Sequence, residues 1–300
     1  MRYDWMYSSL LAAIAALAIA AHPAHALSPD LRIALREVES GPYLPGLPIL
    51  LAVEIRNAGA SAVSIPAPAL SYRDDPYNAV DIFTATGAGA PLERVKCVIP
   101  EFGPWVSGLS PEPPEPVTLA PDEARELGIV LSYDWKHKQI RMLAKPGTLR
   151  VQAALCDYGV DADGNPTIDR DNRVESNVLE LAVAEPDAAA AKAWELAKQS
   201  ERTWFLAHPA ALAYATQDGD FRLFQEVAAA GDSPYSRHAS VVVAYMYALG
   251  NGLDLHPGRP PQPQVAKQWL DKAMGGEKKA VYPPDWEALA ERLAEPKDNP

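Results

Sequence analysis

Residues 45–59, PGLPILLAVEIRNAG, decide the fold. Ile49, Leu51, Val53 and Ile55 fall on one face of an extended segment, and Leu50, Ala52, Glu54 and Arg56 fall on the other. A period of two marks a half-buried β-strand, because successive side chains of an extended chain point to opposite sides. Asn57-Ala58-Gly59 then supplies turn chemistry, and residues 61–65 restart the alternation. This stretch reads as the central strand of a β-sandwich whose other strands reach to about residue 185.

The neighbours follow the same rule. Leu31, Ile33 and Leu35 alternate with Arg32, Ala34 and Arg36. Residues 78–86 and 93–99 form two further strands around Gly87-Ala88-Gly89, and residues 117–119, 127–131, 148–158 and 178–183 complete the set, with an acidic loop before the last. Short strands at regular spacing with turn signals between them predict an all-β sandwich. Residues 100–116 carry six prolines and are expected to be a loop. Connections longer than about 12–15 residues are often functional.

Beyond Glu185-Pro186-Asp187 the regime changes. Asp187 is placed to cap a helix in which Ala190, Trp194 and Ala197 share a stripe. Asp220 is read as the cap of the next helix, with Phe221, Phe224 and Val227 at three-residue steps. Ser233-Pro234 is a cap followed by proline at the first helical position, and it opens a helix to about Leu249 that aligns His238, Val241, Val242 and Tyr245. Residues 204–214, 265–274 and 285–293 read as further helices. The predicted organisation is multidomain β plus α: a segment at 1–26, a β-sandwich at 28–185 and an all-α helical-hairpin domain at 187–295.

Residues 1–26 read as a secretory signal. Leu10 to Ala21 is an apolar run, shorter than the about 20 residues a membrane span requires, and Ala24-His25-Ala26 is a small-x-small cleavage site. No later stretch is expected to span a membrane. The 300 residues include 48% hydrophobic and 22% charged side chains, the balance of a globular chain, and 29 prolines, about twice the usual share of ~5%. Arg2 and Asp4 cancel, so removing residues 1–26 leaves the net charge at −12. Such a chain repels phosphate backbones and anionic lipid, which excludes nucleic acid as the expected partner. The expected location is periplasmic or secreted.

The sandwich region resembles the immunoglobulin-like domains of exported bacterial proteins. The residues that carry the likeness are Pro48-Ile49-Leu50-Leu51 leading to Asn57 and Gly59, Leu119-x-Pro121-x-Glu123, Pro146-Gly147 before the strand ending Cys156-Asp157-Tyr158, and Ser176-Asn177 opening the last strand. The resemblance implies a scaffold, and such folds host unrelated functions. Ala239, Tyr247, Gly250, Gly252, Leu253, Ala266, Trp269 and Ala273 resemble one Sel-like repeat, a relative of the tetratricopeptide repeat. Ala244 stands where that family usually has Gly. That resemblance implies antiparallel helix pairs and a protein-binding or assembly role.

Cys97 and Cys156 form an even pair, which in an oxidising compartment makes a candidate disulfide. Parity places Cys97 inward with Val95 and Ile99 and puts Cys156 on the opposite face with Arg150 and Gln152. The alternative is a buried Cys97 and a half-exposed Cys156. Asp161, Asp163, Asp169 and Asp171 crowd one loop around Gly164 and are weak calcium candidates. An EF-hand register fails, because Gly164 in its sixth position puts Gly159 in the first and Arg170 in the twelfth. Asp-Gly and Asn-Pro also make an ordinary solvated hairpin loop.

His137, His208, His238 and His256 lack zinc spacing, Ser107-Gly108-Leu109-Ser110 lacks a nucleophile elbow, and no phosphate-cradling Gly-rich loop occurs. No catalytic residue and no cofactor are assigned. Phe102, Trp105 and Val106 lie in the proline-rich loop, where no regular element obliges them to be buried, and they are the candidate binding residues. The expected function is that of an exported, non-catalytic protein-binding or assembly protein of the bacterial envelope, partnered by another envelope protein. The alternative is an envelope enzyme or enzyme accessory with a ligand cleft between its two domains.

Overall fold

The computed structural model describes residues 27–38, 40–68, 79–87, 89–95, 99–100, 115–131, 145–160, 166–199, 218–249 and 261–275. The strands in chain order are β1 (Leu31–Glu37), β2 (Ile49–Asn57), β3 (Val63–Ile65), β4 (Val80–Thr86), β5 (Glu93–Val95), β6 (Ile99–Pro100), β7 (Val117–Leu119), β8 (Ala124–Leu131), β9 (Gly147–Val160), β10 (Pro166–Glu175) and β11 (Leu179–Val183). The helices are α1 (Ala188–Ala197), α2 (Asp218–Ala229), α3 (Pro234–Leu249) and α4 (Pro263–Met274). Among the described residues, no helix is long and apolar enough to cross a membrane.

The strands form antiparallel sheets. The first sheet has the order β1-β2-β8-β6 and the second β10-β9-β4-β5, while β3 pairs with β7 in a small third sheet. One edge of β9 serves two partners: its C-terminal part pairs with β10 and its N-terminal part with β11. The alternation read from the sequence decides which side chains are buried. Leu31, Ile33 and Leu35 of β1 join Ile49, Leu51, Val53 and Ile55 of β2 in one apolar cluster with Val80 and Ile82 of β4 and Leu149, Val151, Ala153 and Leu155 of β9. That cluster draws on both large sheets, and removing such area from water is its main source of stability. At the edge of β1, the side-chain amide of Asn177 donates to the Leu35 carbonyl at 3.0 Å and accepts the Leu35 N–H at 2.9 Å. It thereby occupies the hydrogen bonds that a further strand would make.

Three strand readings are corrected. Residues 93–99 divide into β5, on the second sheet, and β6, on the first, with Pro100 inside the pairing to Ile129. The stretch read as an acidic loop contains β10. Its alternation is polar on most positions, so hydrophobic patterning does not report it. Finally, β2 is not half-buried along its whole length: Leu50 and Ala52, on the outward side, are as buried as their inward neighbours, and only from Glu54 does that side open.

For Leu50 the cause is the helical half. Leu50 stands directly opposite Val130 of β8, and both belong to the apolar cluster that also contains Ala190, Ala193 and Trp194 of α1, Phe224 and Val227 of α2, and Tyr235, Val241 and Val242 of α3. Helix formation follows the expected chemistry. Asp187 Oδ1 accepts the Ala190 N–H at 2.8 Å, and Ser233 Oγ accepts the Ser236 N–H at 3.1 Å. The predicted stripes Ala190, Trp194, Ala197 and Phe221, Phe224, Val227 are buried. Asp220 does not cap α2, which already begins at Asp218.

The loop before β2 makes the junction. The Tyr235 hydroxyl donates to the Pro45 carbonyl at 2.5 Å, and the Tyr235 ring stacks on Trp194 with centroids 5.3 Å apart. Gly46 holds φ +75, a conformation that favours glycine, and a Cβ there would stand 2.5 Å from Trp194 Cζ3. The described part of the contact between the two halves is thus made by apolar side chains and one tyrosine–carbonyl hydrogen bond.

Candidate functional site

β4 reads VDIFTAT, and its parity sends Val80, Ile82 and Thr84 toward the apolar cluster and Asp81, Phe83 and Ala85 to the other side of the second sheet. Asp81 is nevertheless only 2% exposed. A buried carboxylate requires charge partners and hydrogen bonds. Asp81 Oδ1 accepts from Arg94 Nε at 2.7 Å, and Asp81 Oδ2 accepts from Arg170 Nε at 3.0 Å. Arg94 comes from β5, directly opposite Phe83. Arg170 comes from β10, within the register shift between Asp169 and Arg173.

That irregularity is held by side chains. Asp169 Oδ1 accepts the N–H groups of Asp171 at 3.1 Å and Asn172 at 3.4 Å, and Asn172 Nδ2 donates to Asp157 Oδ2 at 2.9 Å. A bulge of this kind bends a strand and re-aims the side chains at it. Arg173, just after it, lies with its guanidinium carbon 5.3 Å from the Phe83 ring centroid and bonds Glu175 through Nε at 2.8 Å.

Cys156 completes the cluster. It stands opposite Arg173 and its Sγ donates to Asp81 Oδ2 at 3.8 Å. The face read from parity is the one it occupies, but the half-exposed reading is wrong, since Cys156 is fully buried. Burial, and then the Asp81 charge beside it, push its thiol up to about 12, with Arg170 and Arg173 pulling weakly the other way. The usual value is 9.0, so near neutral pH the buried thiol carries far less thiolate than an exposed cysteine has. In the Cys97→Ser protein at pH 8, Cys156 is expected to react with a disulfide reagent at least a hundredfold more slowly than in the urea-unfolded chain. Equal rates would contradict this environment. The linkage has a sign as well: above pH 9 the folded chain keeps a proton that the unfolded chain has released, so this contribution to stability declines as pH rises from 9 toward 12.

Chemically, the cluster is a brace. Both oxygens of the acid bind guanidiniums, the neighbouring thiol stays protonated, and the part that reaches solvent is arginine: the side chains of Arg94 and Arg170 are 24% and 35% exposed. Among the described residues, no group of three or more His, Cys, Asp or Glu is placed to hold a metal ion. Of the calcium candidates, Asp169 and Asp171 belong to the bulge just described, while Asp161 and Asp163 lie outside the described residues. So do Cys97 and the binding candidates Phe102, Trp105 and Val106. His238 is buried in α3. Sequence reading missed Asp81, Arg94 and Arg170. A lone acid between Val80 and Ile82 in an apolar strand was the available signal.

No family model matches this chain, and no curated protein matches it. Solved structures similar to it include red sea bream transglutaminase, with 12% identity over 53% of this chain and 17% of the transglutaminase, at a TM-score of 0.29. A CARDB domain from Pyrococcus furiosus is 13% identical over 52% of this chain and 94% of the domain, at a TM-score of 0.22. A β-glucosidase from Listeria innocua is 15% identical over 52% of this chain and 16% of the enzyme, at a TM-score of 0.25. The chain thus spans less than a fifth of either enzyme. No activity, ligand or partner is carried over from them.

Proposed function

We propose that the protein is an exported, non-catalytic protein-binding or assembly protein of the bacterial envelope, periplasmic or secreted. In this reading the two large sheets form an immunoglobulin-like sandwich, the helices form a hairpin domain docked on its first sheet, and the partner is another envelope protein. The observation that carries it is the use made of Asp81 and Cys156. The acid is bound on both oxygens by arginines and the thiol beside it is held protonated, so this polar cluster works as a support for a surface. The contact between the halves supports the same reading, because Trp194, Tyr235, Leu47, Leu50 and Val130 pack together there as one apolar cluster. Phe102, Trp105 and Val106 are the proposed contact residues of the proline-rich loop.

A crosslinking pull-down with residues 27–300 from envelope extract tests the reading. One protein is expected to be enriched, and to be lost when Phe102→Ser and Trp105→Ser are introduced together. Catalytic turnover abolished by changing one polar residue would overturn it.

A further inference from the structure

Several margins of the two large sheets are blocked. Asn177 takes the outward hydrogen bonds of Leu35 at β1, a register shift interrupts β10, and Tyr43 bonds Ala182 and Ala184 beside β11. Such devices keep an edge from pairing with a foreign strand. The margin of β8 differs over residues 124–128. β6 pairs only with Val130 and Ile129. The Asn57 N–H donates to the Glu123 carbonyl at 3.0 Å, so Glu123 faces β2, and at a period of two so do Arg125, Leu127 and Ile129. Ala124, Glu126 and Gly128 therefore aim their backbone N–H and C=O groups away from β2, in step with Val130, which meets β6. Ala124, Arg125 and Glu126 are exposed, and Leu127 and Gly128 are half-buried. Among the described residues, no strand pairs with β8 along this stretch on the side away from β2.

We propose that the partner protein adds an extended segment to β8 at this margin, antiparallel, with its backbone bonded to Ala124, Glu126 and Gly128. The inference rests on the binding reading above and names a surface for it. The groups on offer select the occupant, because N–H and C=O groups repeated at alternate residues are matched by another extended backbone. A second copy of β8 fits poorly in each register. Centred on Glu126 or on Arg125, self-pairing sets that side chain against its own copy, and like charges directly opposite are destabilising. Centred on Leu127, it brings Arg125 and Ala124 to the positions that β6 already holds opposite Ile129 and Val130. Centred on Ala124, it is cut short, because Asp122 at φ 60 leaves the strand. The margin also adjoins the candidate loop, since β6 ends at Pro100, two residues before Phe102. Side chains add little attraction: Arg125 has Glu123 beside it and Glu126 has Arg36. They only disfavour a base opposite Arg125 and an acid opposite Glu126.

The test is amide NMR of the full chain. In the free protein the Glu126 and Gly128 amides are expected to exchange with solvent about a hundredfold faster than those of Arg125 and Leu127, which β2 protects. The chain is then titrated with the peptide Ser-Thr-Val-Lys-Thr-Val-Ser, whose lysine falls opposite Glu126. Saturable shifts are expected at Ala124, Glu126 and Gly128, and none with the same peptide methylated on the backbone nitrogen of its lysine. Glu126→Pro removes an outward N–H and spares the bonds to β2, so it is expected to weaken binding about tenfold or more, whereas Glu126→Ala stays within about threefold. Ala124→Pro, nearer the strand end, takes its place should Glu126→Pro lose its native circular dichroism. Slow exchange at Glu126 and Gly128, no saturable shifts, equal binding of the methylated peptide, or equal affinity in the proline variant would each overturn the proposal. Self-association lost in Glu126→Pro would assign the margin to a second copy and also overturn it. If a pull-down partner that needs Phe102 and Trp105 is retained by a folded Glu126→Pro protein, this surface falls and the binding reading stands.

Discussion

Trp194→Ala is expected to lower the free energy of unfolding by about 3–5 kcal/mol, the range for removing a large buried aromatic side chain. Trp194 is the piece that both halves of the protein share. It belongs to α1, stacks on Tyr235 of α3, and receives the turn at Gly46 that leads into β2. Truncation would open a cavity beside Leu47 and Leu50 and would remove the surface on which Tyr235 is aligned toward the Pro45 carbonyl. Gly46→Ala approaches the same contact from the other side. Its backbone sits at φ +75 and its new methyl would meet the indole, so the backbone alone is expected to cost about 1–3 kcal/mol. Urea unfolding followed by circular dichroism and by fluorescence measures both. A loss under about 1 kcal/mol for Trp194→Ala would show that the junction contributes little.

Asn57→Ala should have the second largest effect, about 3 kcal/mol. Asn57 is fully buried at the end of β2. Its Nδ2 donates to the carbonyls of Ser61 at 2.8 Å, Leu119 at 3.1 Å and Ala120 at 3.1 Å, and its Oδ1 accepts the Gly59 N–H at 2.9 Å. Its backbone binds Glu123 and Asp122 as well. One side chain therefore joins the turn after β2 to the segment after β7. Alanine would leave buried backbone groups without partners, at about 1–3 kcal/mol for each group that water does not reach. Asn57→Asp is expected to be at least as damaging, because a carboxylate oxygen would then face three carbonyl oxygens. Thermal unfolding of the two variants decides the matter. An aspartate variant more stable than the alanine variant would contradict this account.

Much of the sheet was legible because burial there follows a simple parity. Ile49, Leu51, Val53 and Ile55 faced inward as their spacing required, and Leu149, Val151 and Leu155 did the same. The helix starts at Asp187 and Ser233 were legible for a comparable reason, since a cap depends on neighbours two or three residues away. What escaped was non-local. Asp81 takes one partner 13 residues away and the other 89 residues away, across a bulge that no periodicity marks. β10 escaped because an edge strand with few apolar positions looks like a loop. Leu50 gave a partial signal: an apolar side chain on the outward face of a strand calls for a cover, although nothing in its spacing says that the cover lies beyond residue 187.

The hydrogen bond from Tyr235 to Pro45 spans 190 positions of the chain. Pairing between β4 and β9, and the Asn177 contact with Leu35, also wait for residues far downstream. A chain emerging from its N-terminus therefore carries its central strand long before that strand is covered on either side. Assembly of this kind is slow, because loop closure must precede the contacts that reward it. In the interval Leu47, Leu50 and Val130 form a sticky strip, a surface on which chaperones or misdirected neighbours would act. The helical half is thus the late lid on an early strand, and the first sheet made without it would carry that strip permanently bare.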